Sequence, residues 1–166
     1  MDKFVSRSSY LRFLPPLQKI RATVDVEQAS MQCSTMLVYL NTSMYADQYM
    51  HTSAKQREET SVHCRHILCK AASFAAMEEN IHGHMVFSVF LAGIHSLYSR
   101  DRNRALRIMR LLESHGVYCY ASETRQLLEA VCLEQESRAY FSKSAADFDW
   151  VSFGQAQNIH IINFGV

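Results

Sequence analysis

Residues 84–98 read HMVFSVFLAGIHSLY and contain the longest apolar run of the chain, Met85 to Ile94. Phe87, Phe90, Ile94 and Leu97 recur at steps of three and four along one side, and apolar residues cover most of the rest. A helix that is apolar on most faces buries its flanks against several neighbours, so this segment predicts a central helix from about His84 to Tyr98. The run is also about ten residues long, half of what a bilayer crossing needs. Gly93 and Ala92 add a steric condition: small side chains on a buried helix let a neighbouring backbone approach closely, and a larger residue at Gly93 would overpack that contact.

The periodicity on either side supplies the neighbours. Upstream, Gln56 to Met77 carries Cys64, Ile67, Leu68, Ala71, Ala72, Ala75 and Ala76 on a small-residue face, and Asn80 to Gly83 forms the break after it. From Val26 to about Met50, Ala29, Cys33, Met36, Leu37, Leu40 and Met44 mark one apolar stripe. Residues 1–24 lack a clear period and contain Pro15-Pro16, so they read as an irregular arm. Downstream, Asp101 to about His115 places Ala105, Ile108, Met109 and Leu112 on one arc, with Gly116 as a stop. Strong helix formers then fill Ser122 to about Phe141. The tail, Asp147 to Val166, holds the single tryptophan, Trp150, and ends in NIHIINFGV, which suits either a short strand or a terminal helical turn. The expected fold is therefore all-α: an antiparallel array of five to six helices around a central apolar one, with residues 25–166 as the helical domain.

Composition agrees with one globular domain. Of 166 residues, 48% are hydrophobic and 20% charged, with 5 Gly and 2 Pro, which disfavours disorder and many-stranded sandwiches. A formal net charge of +1 is too small to supply the counterion-release term of nucleic-acid binding, so no direct contact with nucleic acid is expected. The five cysteines are an odd set without the dense spacing of a secreted scaffold and read as reduced thiols. The first residues, MDKFVSRSSYLRFLPPL, lack the continuous apolar core of a signal peptide, and a soluble chain is expected. Charge is uneven: residues 100–110 carry +4 and residues 111–166 carry −4. The basic helix of Arg100, Arg102, Arg104, Arg107 and Arg110 could contact nucleic acid, but a solvated face opposite an apolar arc, paired to the acidic fifth helix, explains the same residues and is the expected reading.

Several clusters invite chemistry. His63, Cys64, His66 and Cys69 fall within seven residues and are zinc-type ligands. On a helix Cys64 points about a quarter-turn away from His63, and no second pair follows at finger spacing, so no metal is expected. His82-Gly83-His84 after Glu78 and Glu79 could shuttle protons, yet no nucleophile elbow, phosphate loop, dinucleotide fingerprint or His-Glu-x-x-His motif accompanies it. No cofactor is expected. His84, Ser88, Leu91 and His95 share one helix face, the histidines lying close to three full turns apart, and form a polar seam toward a neighbour or a ligand pocket.

The stretch Met85 to Gln135 carries a family resemblance. Val89-Phe90-Leu91-Ala92-Gly93-Ile94, the Arg-bearing segment Arg104 to Leu112, Leu127-Leu128-Glu129-Ala130-Val131 and Asp149-Trp150 follow one another in the order and spacing of the C-terminal part of the fungal-specific transcription factor domain. That domain is the regulatory region of fungal zinc-cluster regulators, which this chain resembles from about residue 60 onward. Ser88 stands where that family often has proline, Cys132 where it often has tryptophan, and the DNA-binding six-cysteine cluster is absent. The resemblance implies a partial, non-catalytic regulatory domain in the nucleus (cytoplasmic otherwise), acting through helix contacts with itself, another regulatory protein or a small apolar effector, and not through a membrane. Its motif residues would be Phe90, Leu91, Ala92, Gly93, Arg104, Leu128, Glu129, Val131 and Trp150. Two other readings stand beside it: a free-standing repeat-type adaptor that binds peptides in a concave groove, and an enzyme using His82, His84 or His95 with a nearby cysteine.

Overall fold

Proline at the first position of a helix loses nothing, because the N–H it lacks would have no partner there. Pro16 uses this allowance. In the computed structural model, which describes residues 16–42, 54–77, 84–115, 120–140 and 149–157 (side chains of 16–22, 84, 139 and 140 excepted), the first helix, α1, is Pro16–Thr42. Residues 16–24 are thus helical and not part of an irregular arm; Pro15-Pro16 starts the helix. The other helices are α2, Ala54–Ala75; α3, His84–Ile94; α4, Ser99–Ser114; α5, Tyr120–Tyr140; and α6, Trp150–Ala156. Among the described residues there are six helices and no strand, so the all-α expectation holds. The NIHIINFGV segment and Met44 lie outside the described residues.

α1 turns a different face inward from the one its apolar spacing suggests. Met31, Ser34, Thr35 and Val38 are buried, whereas Ala29, Cys33, Met36, Leu37 and Leu40 are exposed, Met36 at 55% and Leu40 at 60%. The inward face runs at steps of three and four, and its cost is low because its threonine satisfies itself: Thr35 Oγ1 donates to the Met31 carbonyl four residues back, at 2.9 Å. α2 offers matching hydroxyls at Thr60 and Ser61, both buried, and Thr60 donates in the same way to Gln56 O at 2.9 Å. The two helices run antiparallel, as shown by Glu27 with Lys70, Ser30 with His66 at 3.2 Å and Asn41 with Thr60 at 3.5 Å.

α3 is the centre. It packs against α1, α2, α4 and α5, and every residue from Val89 to Ile94 is buried. Its helical run stops at Ile94, earlier than expected, and Leu97 is 47% exposed in the connection to α4. α4 buries Ala105, Ile108, Met109 and Leu112, the expected arc, and α5 buries Ala121, Leu127, Leu128, Val131 and Cys132. Asp149 caps α6 by accepting from the backbone N–H groups of Val151 and Ser152, at 3.0 and 3.1 Å. That cap delivers Trp150 to the core, where its ring meets Phe90 edge-on at a centroid distance of 5.0 Å.

The tightest approach is at Gly93. A Cβ there would sit 2.8 Å from Leu128 Cδ1 and 3.0 Å from Ala105 Cβ. Alanine at Gly93 gains helix propensity of about 1 kcal/mol, but the overlap outweighs it. Gly93→Ala is expected to destabilise the fold by about 1–3 kcal/mol in urea unfolding, and in a Leu128→Ala background its cost should fall to about half or less. Equal cost in both backgrounds would place the strain elsewhere.

Candidate functional site

A helix ending inside a protein leaves four carbonyls in need of donors. α3 ends this way, and each of its last four carbonyls is met. Leu91 O accepts from His95 N at 3.1 Å, Gly93 O from Ser96 N at 3.4 Å, Ala92 O from Ser96 Oγ at 2.6 Å, and Ile94 O from Gln135 Nε2 at 2.9 Å. Arg102 Nε of α4 then donates to Ser96 O at 3.2 Å. Side chains from α4 and α5 thus close the buried end of α3. Gln135, Ser96 and Arg102 are absent from the motif reading; the signal for them is the rule that a buried helix end demands outside donors.

The residues singled out in the sequence fall into three groups. Phe90 meets Trp150 and Gly93 meets Leu128, and Leu91, Ala92 and Val131 are buried in the same core. Glu129 lies on the rim, where Arg110 donates to it at 3.0 Å and Arg125 at 2.9 Å; Arg125 also reaches Glu113 at 2.7 Å. This network joins the basic α4 to the acidic α5, and it holds the carboxyls low: Glu113 through the hydrogen bond from Arg125, Glu129 because those from Arg110 and Arg125 outweigh its partial burial. Arg104 stands apart, its guanidinium donating to Cys69 Sγ of α2 at 3.2 Å.

The proposed polar seam is divided. Ser88 and Leu91 are buried, and the side chain of His84 lies outside the described residues. His95 is half-buried as a residue, yet its Nε2 is buried without a hydrogen-bond partner among the described residues. Burial holds the imidazole down to about 4. Of the zinc-type cluster, Cys64 is buried, His66 is bonded to Ser30, and Cys69 accepts from Arg104; among the described residues no three His, Cys, Asp or Glu side chains are grouped to hold an ion. Burial raises the thiols of Cys64 and Cys132 to about 12 and about 11, so both are protonated at neutral pH and are poor nucleophiles. A surface depression on α4 is lined by Ser99, Arg100, Asn103, Arg107 and Arg110. No described helix is long and apolar enough to cross a membrane.

Comparison of the chain with protein-family models, with characterised proteins and with solved structures finds no match.

His95 makes stability depend on pH in a defined window. The unfolded imidazole takes up a proton near its ordinary value of 6.5, whereas the folded one resists until about 4. Stability is therefore full above pH 6.5 and falls as pH drops toward 4, by about 1–3 kcal/mol. Replacing His95 with Leu should flatten urea midpoints across that window. The paired carboxylates Glu113 and Glu129 would still cost stability below about 4.5, their ordinary value. An unchanged slope between pH 6.5 and 5 in His95→Leu would show that His95 is not its source.

Proposed function

We propose that the chain is a non-catalytic regulatory domain of the kind found at the C-terminal end of the fungal-specific transcription factor domain, working in the nucleus through helix contacts with protein partners. The supporting observation is that motif pieces distant in sequence meet in one core: Gly93 against Leu128, and Phe90 against Trp150. In this reading the segments that carry the resemblance are tied to one another by packing and do not line a reaction site. The core thiols of Cys64 and Cys132, protonated at neutral pH, suit packing better than catalysis. A peptide-binding repeat adaptor needs an open groove between stacked pairs, whereas here four helices enclose α3.

The test is recruitment. Fused to an unrelated DNA-binding module in a fungal cell, the chain should change expression of a reporter bearing that module's site by several-fold, and Gly93→Leu should abolish the change. A folded, abundant fusion that leaves the reporter at the level of the DNA-binding module alone would overturn the proposal.

A further inference from the structure

Most of the ionic side chains of α4 have partners within the chain. Asp101 meets Arg65, Arg102 donates to Ser96 O, Arg104 donates to Cys69 Sγ, Arg110 pairs with Glu129, and Glu113 pairs with Arg125. Arg100 and Arg107 are left over: both are exposed, and neither makes a hydrogen bond or ion pair among the described residues. Seven residues apart, they point within about 20° of each other around the helix and stand about 10 Å apart along it. With Ser99, Asn103 and Arg110 they line the surface depression on α4, a trough about 16 Å long. Leu111 continues the line of Arg100 and Arg107 by one turn and is 47% exposed.

We propose that this trough docks an acidic helical segment of a partner protein, with two carboxylates seven residues apart on Arg100 and Arg107 and an apolar side chain beside Leu111. Charge complementarity selects the sign of the partner, because the lining offers guanidinium, amide and hydroxyl groups and no carboxylate. The planar fork of arginine takes a carboxylate through two parallel hydrogen bonds. Length selects a segment over a single ion: cations about 10 Å apart are beyond the reach of one carboxylate or phosphate, whereas a helix repeats its own side chains at the same seven-residue interval. Three features favour protein over nucleic acid. The line ends on an exposed leucine, which suits an apolar side chain and gives nothing to a phosphate backbone. The lining has no aromatic ring on which a base could stack. Glu129, paired with Arg110, and Glu113 beyond it repel a phosphate track that runs on past the trough. Exposed ion pairs contribute little each, so the docking is weak and sensitive to salt.

This docking names a partner chemistry for the contact-based reading of the preceding section and rests on it for its purpose, but its measurement is separate. The probe is a fluorescein-labelled, alanine-based helical peptide with two glutamates seven residues apart and a leucine four residues outside each, a pattern that fits either direction of approach. Its anisotropy, titrated with the full chain, should give a Kd of about 100 µM in about 20 mM NaCl, weakening by about tenfold or more at about 300 mM. Arg100→Gln/Arg107→Gln, at two exposed positions, should weaken binding by about tenfold or more with an unchanged helical circular dichroism spectrum. Lys55→Gln/Arg57→Gln, an equal loss of charge on the first turn of α2, should bind as the parent does. Four results would each overturn the proposal: a parent that does not bind the peptide, an Arg100→Gln/Arg107→Gln chain that binds it as tightly as the parent or loses no more than Lys55→Gln/Arg57→Gln does, equal binding of a peptide with glutamines in place of its glutamates, or tighter binding of a single-stranded oligothymidylate through the same two arginines. A parent that ignores the peptide yet changes the tethered reporter contradicts the docking alone; a parent that binds the peptide yet leaves the reporter unchanged contradicts the regulatory reading alone.

Discussion

The missing side chain at Gly93 sets the spacing of the whole array. A Cβ at residue 93 would fall within about 3 Å of Leu128 Cδ1 and Ala105 Cβ, so α3 lies against α4 and α5 at a separation that a larger side chain there would crowd. That closeness brings Gln135 within reach of Ile94 O and Arg102 within reach of Ser96 O, so the steric fit and the closure of the helix end are one arrangement. Widening the gap would weaken dispersion contacts along Val89 to Ile94 and strand carbonyls in a region with little water. The Phe90–Trp150 contact continues the same core to the last described helix, whose cap is anchored by Asp149.

A second constraint acts at the other edge. Between α1 and α2 the buried face is rich in short hydroxyl side chains, and such a face tolerates burial when the hydroxyls bond to carbonyls of their own helix, as Thr35 and Thr60 do. The hairpin is held by small, close-packing residues and by flanking polar contacts, Glu27 with Lys70 and Ser30 with His66. Met36, Leu37 and Leu40 of α1 face outward. The result is a molecule with a dense core around α3 and an apolar ridge on its outer helix.

Much of this was legible in the residues. α3 was readable because a segment apolar on nearly all sides has only one stable environment, and the arc of α4 because Ala105, Ile108, Met109 and Leu112 oppose arginines. The face of α1 was not, since hydropathy ranks Met36, Leu37 and Leu40 above Ser34 and Thr35 and takes no account of hydroxyls satisfied by back-bonding. Pro16 misled for a related reason: proline breaks a helix only where its N–H is needed. At the core site, Gly93 and its neighbours could be found from small residues on an apolar helix. Gln135 and Arg102 could not, because which distant side chain reaches a helix end depends on how the helices are placed. The polar seam of His84, Ser88 and His95 was drawn from helical spacing, and spacing alone does not say whether a face meets solvent, a cavity or another helix.

The central claim, that α3 is the rod on which the other helices depend, is tested most directly by native-state amide hydrogen exchange. The amides of residues 89–94 are expected to exchange only by global unfolding, with an opening free energy equal to that from urea denaturation and higher than that of α6. Exchange of those amides through a smaller, local opening while α4 and α5 remain protected would contradict the account.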